Sequence, residues 1–123
     1  MRKQYYFRPS NRGLLAWDVD RLVRLSGNLP RKHIPLTKIR ELDEVWSGDD
    51  EPPTWRTMLE HLKLIDEADL SFPIILSSSG AVMDGMHRVV KAARQGRKEI
   101  EAVQFEEDPE PDHVGRGPRD LPY

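Results

Sequence analysis

Residues 72–96, FPIILSSSGAVMDGMHRVVKAARQG, constrain the fold of this chain more than any other stretch. The apolar run Phe72-Pro73-Ile74-Ile75-Leu76 is short and β-branched, the signature of a buried strand. Ser77-Ser78-Ser79-Gly80 reads as a turn, and Ala81-Val82-Met83 as a second short strand returning from it. Asp84-Gly85-Met86-His87-Arg88 then stands directly before a helical pattern with Met86, Val89, Val90 and Ala93 on one face. Gly96 stops that helix.

A helix start of this kind has a chemical consequence. Its first backbone N–H groups lack partners within the helix, and the macrodipole adds partial positive charge there. Gly85 allows a ligand close to the backbone, and His87 and Arg88 supply side-chain donors. Arg88, Lys91, Arg94, Arg97 and Lys98 face only Asp84 and Glu99 in this part of the sequence, so an anion site is expected here. The purely structural alternative makes Asp84 an ordinary N-cap and leaves the basic residues solvated.

The segments PIIL, GAVMDGMHRVVKAARQG and IEAVQF together resemble the core of the ParB/sulfiredoxin superfamily. There a strand leads into a Gly-x-(His/Arg)-Arg turn at a helix start, and the turn holds nucleotide phosphates. His33-Ile34-Pro35-Leu36-Thr37-Lys38-Ile39 is similar to the opening strand of that superfamily, and the resemblance spans roughly residues 33–105. Within the superfamily, Asp-Gly-Met-His-Arg is closest to the turn of the free-serine kinases. The resemblance implies that Gly85, Met86, His87 and Arg88 hold the phosphates of ATP or ADP, or of CTP. His87 would stabilise the transferred group, and Asp84 would bind Mg²⁺ or orient an acceptor hydroxyl. A carboxylate at Glu41 or Glu44 would take the hydroxyl proton. Sulfiredoxin chemistry itself is excluded, because Met86 stands where that reaction needs a cysteine and the chain has none. Site-specific DNA clamping of the partition type is not expected, since the turn departs from the arginine-rich partition motif and no helix-turn-helix follows it.

The remaining elements are read locally. Tyr5-Tyr6-Phe7 lies in a basic arm over residues 1–16 and suits an extra edge strand or an oligomer contact, with base stacking as the alternative. Asp18 caps a helix to Ser26 that buries Val19, Leu22, Val23 and Leu25, and Gly27 ends it. Thr37 is expected to cap a short helix to Trp46 carrying Glu41, Asp43 and Glu44, which form either a Mg²⁺ or general-base cluster or a solvated acidic face. The loop SGDDEPP over residues 47–53 precedes a helix capped by Thr54, with Trp55, Met58, Leu59, Leu62 and Ile65 buried. His61 beside that stripe suits a half-buried packing role, with ligand or acid–base work as the alternative. Ile100, Ala102 and Val103 face inward from a last strand. The acidic, proline-rich tail of residues 106–123 is expected to lie over the body, anchored by Leu121 and Tyr123.

The expected fold is α/β. A small mixed sheet from residues 32–36, 72–76, 81–83 and 100–105 carries helices 18–26, 37–46, 54–67 and 86–95. One domain is expected, with residues 1–31 as an extension, 32–105 as the core and 106–123 as the tail. The net charge of −2 argues against non-specific coating of nucleic acid. The absence of cysteine excludes disulfides and thiolate metal sites. No apolar run approaches a membrane span and no signal-peptide core opens the chain, so a cytoplasmic protein is expected. The functional expectation is a nucleotide-phosphate-binding protein acting as a Mg²⁺-dependent kinase of a small, amino-acid-like hydroxyl compound. The alternative is a non-catalytic nucleotide- or partner-binding module, a ParB-like DNA-associated role included. Self-association is expected to use the aromatic arm.

Overall fold

A computed structural model describes residues 3–44 and 54–123. Among these the chain forms seven strands and three α-helices. The strands are β1 (Tyr5–Arg8), β2 (Leu15–Asp18), β3 (Lys32–Pro35), β4 (Ile74–Leu76), β5 (Val82–Asp84), β6 (Glu99–Gln104) and β7 (His113–Val114). The helices are α1 (Val19–Ser26), α2 (Trp55–Glu67) and α3 (Met86–Arg94). The four strands expected from the sequence form one mixed sheet in the order β3-β6-β4-β5, with β6 and β4 parallel and the outer pairs antiparallel. A second sheet, β1-β2-β7, joins the aromatic arm to the tail.

The larger sheet is covered on both faces, which explains why β4 is apolar at every position. Ile74, Leu76, Val82, Ile100 and Ala102 point to one face and meet Val89 and Ala92 of α3. Ile75, Met83, Val103 and Phe105 point to the other and meet Leu15 and Trp17 of β2 and Leu22 of α1. The alternation of a strand's side chains thus divides the core into two layers. Asp18 caps α1 by accepting from the Asp20 N–H at 2.9 Å, and Thr54 caps α2 by accepting from the Thr57 N–H at 3.1 Å. Gly96, at φ +73°, follows the last turn of α3, and the Arg97 N–H reaches back to the Ala92 carbonyl at 3.0 Å.

Several expected features differ. Thr37 caps nothing: it lies inside a 3-10 turn at Leu36–Lys38, which is followed by a second at Arg40–Asp43. Ile39 interrupts them in an extended conformation because its side chain is drawn into the core. Val45 and Trp46 of the expected helix, and the loop of residues 47–53, lie outside the described residues. In α1 only Leu22 and Ser26 are fully buried, while Val23 and Leu25 are exposed. In α2 only Ile65 is buried; Trp55 is 83% exposed, and Met58, Leu59 and Leu62 are exposed as well. In α3 it is Ala92, not Ala93, that meets the sheet.

The arm is used within the chain. Tyr6 lies against Trp17 with ring centroids 5.6 Å apart, and Tyr5 meets Tyr123 edge-on at 5.4 Å. The tail is bound by polar contacts that no local pattern announces. The Trp17 indole N–H donates to the Pro109 carbonyl at 2.8 Å, and Asp112 accepts from the Asp18 N–H at 2.8 Å. Leu121 is buried as expected, whereas Tyr123 is half-exposed and holds the Pro118 carbonyl through its hydroxyl at 2.8 Å. Asp108 bridges the tail to the body, accepting from the Ser78 N–H at 2.8 Å and from Arg8 at 3.0 Å.

Burial alone would raise the Asp108 carboxyl, but the Ser78 N–H and Arg8 outweigh it and hold the group below the ordinary carboxylate value. A folded-state value below the unfolded one (about 3.9) adds stability above that range, lost as pH falls through the folded value. Thermal midpoints measured from pH 6 to about pH 2.5 should therefore fall more steeply for the native chain than for Asp108→Asn. Parallel acid profiles for the two would rule out this linkage.

Candidate functional site

β5 ends at Asp84 and α3 begins at Met86, with Gly85 between them at φ +109°. Gly85, not Asp84, is the N-cap, so no side chain caps this helix. Asp84 instead accepts from the Arg88 guanidinium at 3.0 Å, one helical turn on, with both side chains largely buried. Arg88 Nε is shielded and makes no hydrogen bond among the described residues. The pair sets the guanidinium beside the first turn of α3, where the macrodipole is positive.

Two clefts meet at this turn. The first, about 710 Å³, is lined by Asp84, Gly85, Met86, His87 and Arg88 together with Lys3, Tyr5 and Tyr123 from the arm and tail. Glu67 and Asp69, at the C-terminal end of α2 and just beyond it, complete its rim. The second, about 560 Å³, lies among the Arg40–Asp43 turn, α2 and α3, and Glu41, Glu44 and His61 line it. Met86 and His87 belong to both. His87 Nε2 lies 3.3 Å from His61 Nδ1, so one imidazole donates and the other accepts.

Charge in the first cleft is mixed. The Asp18 carboxylate, 3.1 Å away, bonds Lys3 and holds its ammonium charged above the ordinary lysine range. The Ser71 hydroxyl and N–H keep Asp69 below the ordinary carboxylate value. Glu41, beside the second cleft, accepts from the Val82 N–H through Oε2 at 2.6 Å, while Oε1 is shielded from water and has no hydrogen-bond partner among the described residues.

The expected site residues are thus gathered around one turn but divided between two clefts. Asp84, Gly85 and Arg88 open on the first, Glu41 and Glu44 on the second, and Met86 and His87 on both. The expected cluster of basic residues does not form. Lys91 donates to the Asp66 and Ala68 carbonyls at the end of α2, and Arg94 pairs with Asp66 at 3.0 Å. Lys91 and Arg94 lie about one and two turns beyond Arg88, and the rise of about 5.4 Å per turn carries them away from the start of α3. Among the described residues no three His, Asp or Glu side chains come together in a way that could hold a metal ion. The arm was expected to be able to cover the site, and Lys3 comes from it; Glu67 and Asp69 were not anticipated, because tertiary structure alone brings them to the cleft that Asp84 lines. His61 had a visible signal, a histidine beside an apolar helical stripe, though its partner did not.

Searches of family models, of curated proteins and of solved structures returned no match to this chain. No helix among the described residues is long and apolar enough to cross a membrane.

Proposed function

We propose that this chain is a nucleotide-phosphate-binding protein of the ParB/sulfiredoxin-like kind, with the phosphates seated at the start of α3. The observation that carries the reading is the helix start without a side-chain cap, opening with Arg88 and Lys3 on a cleft of nucleotide size. Arg88 is pre-oriented by Asp84, so little side-chain entropy is lost when its guanidinium takes an anion. Tyr5 and Tyr123 on the same cleft offer faces for a base. Mg²⁺ carried by a nucleotide keeps several waters and takes only one or two carboxylates, a demand that Asp84 alone can meet.

The test is calorimetric titration of ATP, ADP, CTP and GTP with Mg²⁺ into the native chain and Arg88→Lys. At least one nucleotide should bind the native chain. The variant keeps the charge but not the planar fork, and should bind about tenfold or more weakly. No binding by any of the four, or equal binding by the variant, would sink the proposal.

A second reading, phosphoryl transfer to a small hydroxylated acceptor, is favoured by the adjoining clefts, which share Met86 and His87 and carry Glu41 on the second. A hydroxyl seated in the second cleft would attack the terminal phosphorus near His87, break the bond to the leaving diphosphate, and pass its proton to Glu41. Holding the reactants together would do most of the catalysis. The non-catalytic module needs only the first cleft.

A further inference from the structure

The side of α2 that faces away from the body is apolar and uncovered among the described residues. The helix meets the rest of the fold through Ile65, which is buried, and through His61 and Thr57, one and two turns before it, which are half-buried. Trp55, 83% exposed, and Leu59, 65% exposed, point the other way, with Met58 and Leu62 exposed between the two sides. Four large apolar side chains uncovered on one short helix mark an interaction surface. Beside them runs a column of charge, Arg56, Glu60, Lys63 and Glu67, all exposed. Their spacing would permit pairing within the helix. Yet none of the four makes an ion pair or a side-chain hydrogen bond with any described residue.

We propose that this face joins α2 to the α2 of a second copy of the chain, antiparallel about a two-fold axis. The charge column selects that occupant, because its signs alternate and are opposite when read from its two ends. Two such helices centred between His61 and Leu62 set Arg56 level with Glu67 of the second copy, and Glu60 level with Lys63 of the second copy. The two-fold axis repeats each pair, so complementary charges flank an apolar seam built from Trp55 and Leu59 of both copies. A lipid surface is disfavoured, since the column carries two acids with its two bases, whereas helices that lie on membranes are rich in Lys and Arg. The aromatic arm is already used within the chain, Tyr6 against Trp17 and Tyr5 against Tyr123. A 13-residue helix is about 20 Å long, so the seam is short and the dimer weak.

The experiment is sedimentation equilibrium of the full chain from about 5 µM to about 1 mM, where a monomer–dimer equilibrium with a Kd of about 1–100 µM is expected. Leu59→Gln, an exposed position given another good helix former, should weaken the dimer about tenfold or more with the far-UV helix signal unchanged. Glu60→Lys and Lys63→Glu should each weaken it about fivefold or more, since each sets like charges across the axis twice. The double variant exchanges the charges, so they face each other again, and should return the affinity to within about twofold of native. Val23→Gln, exposed on α1, should leave the dimer as it is. A chain monomeric at every concentration would overturn the proposal and leave the face to a lipid surface, a different protein or another part of this chain. A dimer indifferent to Leu59→Gln, or weakened as much by Val23→Gln, would place the contact elsewhere and overturn it too. So would a double variant no tighter than the single ones, because the charges would then not pair between copies.

Discussion

Gly85→Ala is expected to destabilise the protein by about 2–4 kcal/mol and to remove the proposed nucleotide binding with it. Two costs combine. The backbone at φ +109° is one that side-chain-bearing residues rarely adopt. A Cβ would also stand 2.7 Å from Ile74 Cγ2 and 2.9 Å from an Arg88 guanidinium nitrogen. Neither neighbour yields easily, since Ile74 has no exposed surface and Arg88 is held by Asp84. Relief therefore requires moving the core layer under α3 or breaking the ion pair that orients the guanidinium. Urea unfolding should show the midpoint falling with an unchanged slope. A variant within about 0.5 kcal/mol of the native chain would mean that the turn relaxes freely and is not a rigid cradle.

The larger expected effect on stability lies on the other face of the sheet. Trp17→Ala should cost about 3–5 kcal/mol. Trp17 is only 2% exposed and sits in the layer formed with Leu22, Ile75, Met83, Val103 and Phe105. Its ring also lies under the Arg8 guanidinium at 4.8 Å, and its N–H holds the Pro109 carbonyl. Removing it opens a cavity and frees the tail at the point where it crosses β2. Trp17→Phe retains most of the buried surface and loses the hydrogen bond, so about 1–2 kcal/mol is expected there. Limited proteolysis of residues 106–123 reports the tail directly: cleavage should accelerate in both variants, and more in Trp17→Ala. A tail equally resistant in native and Trp17→Ala proteins would show that Asp108 and Asp112 hold it without the indole.

Much of the architecture was legible because it rests on local chemistry. The strand over residues 72–76 and its return, the caps at Asp18 and Thr54, and the stop at Gly96 each depend on a few neighbouring residues. The strand boundaries moved by one or two residues, at the end of β3, at the start of β4 and at both ends of β5 and β6. The faces of the helices were read less well. Trp55, Met58, Leu59 and Leu62 do share one side of α2, as their spacing requires, yet periodicity does not say what covers that side. In α1 the same limit left Val23 and Leu25 exposed. Over residues 37–44 two 3-10 turns replace the expected helix for a related reason: burying both Leu36 and Ile39 requires the chain to bend between them.

The sequence by itself determined the elements of the larger sheet and the turn around Gly85, since propensity, period and capping act within one or two turns of chain. It also marked Asp84, His87 and Arg88 as belonging together, being adjacent at one helix start. Asp84 and Arg88 pair one turn apart within that stretch. Tertiary structure alone decided that Glu41 would open on a different cleft. It alone brought Lys3 and Tyr123 to the same turn, paired His61 with His87, and laid the acidic tail across Trp17. Those contacts join residues 26 to more than 90 positions apart, and a contact of that range is selected by the shape of the assembled core, which no short stretch of chain encodes.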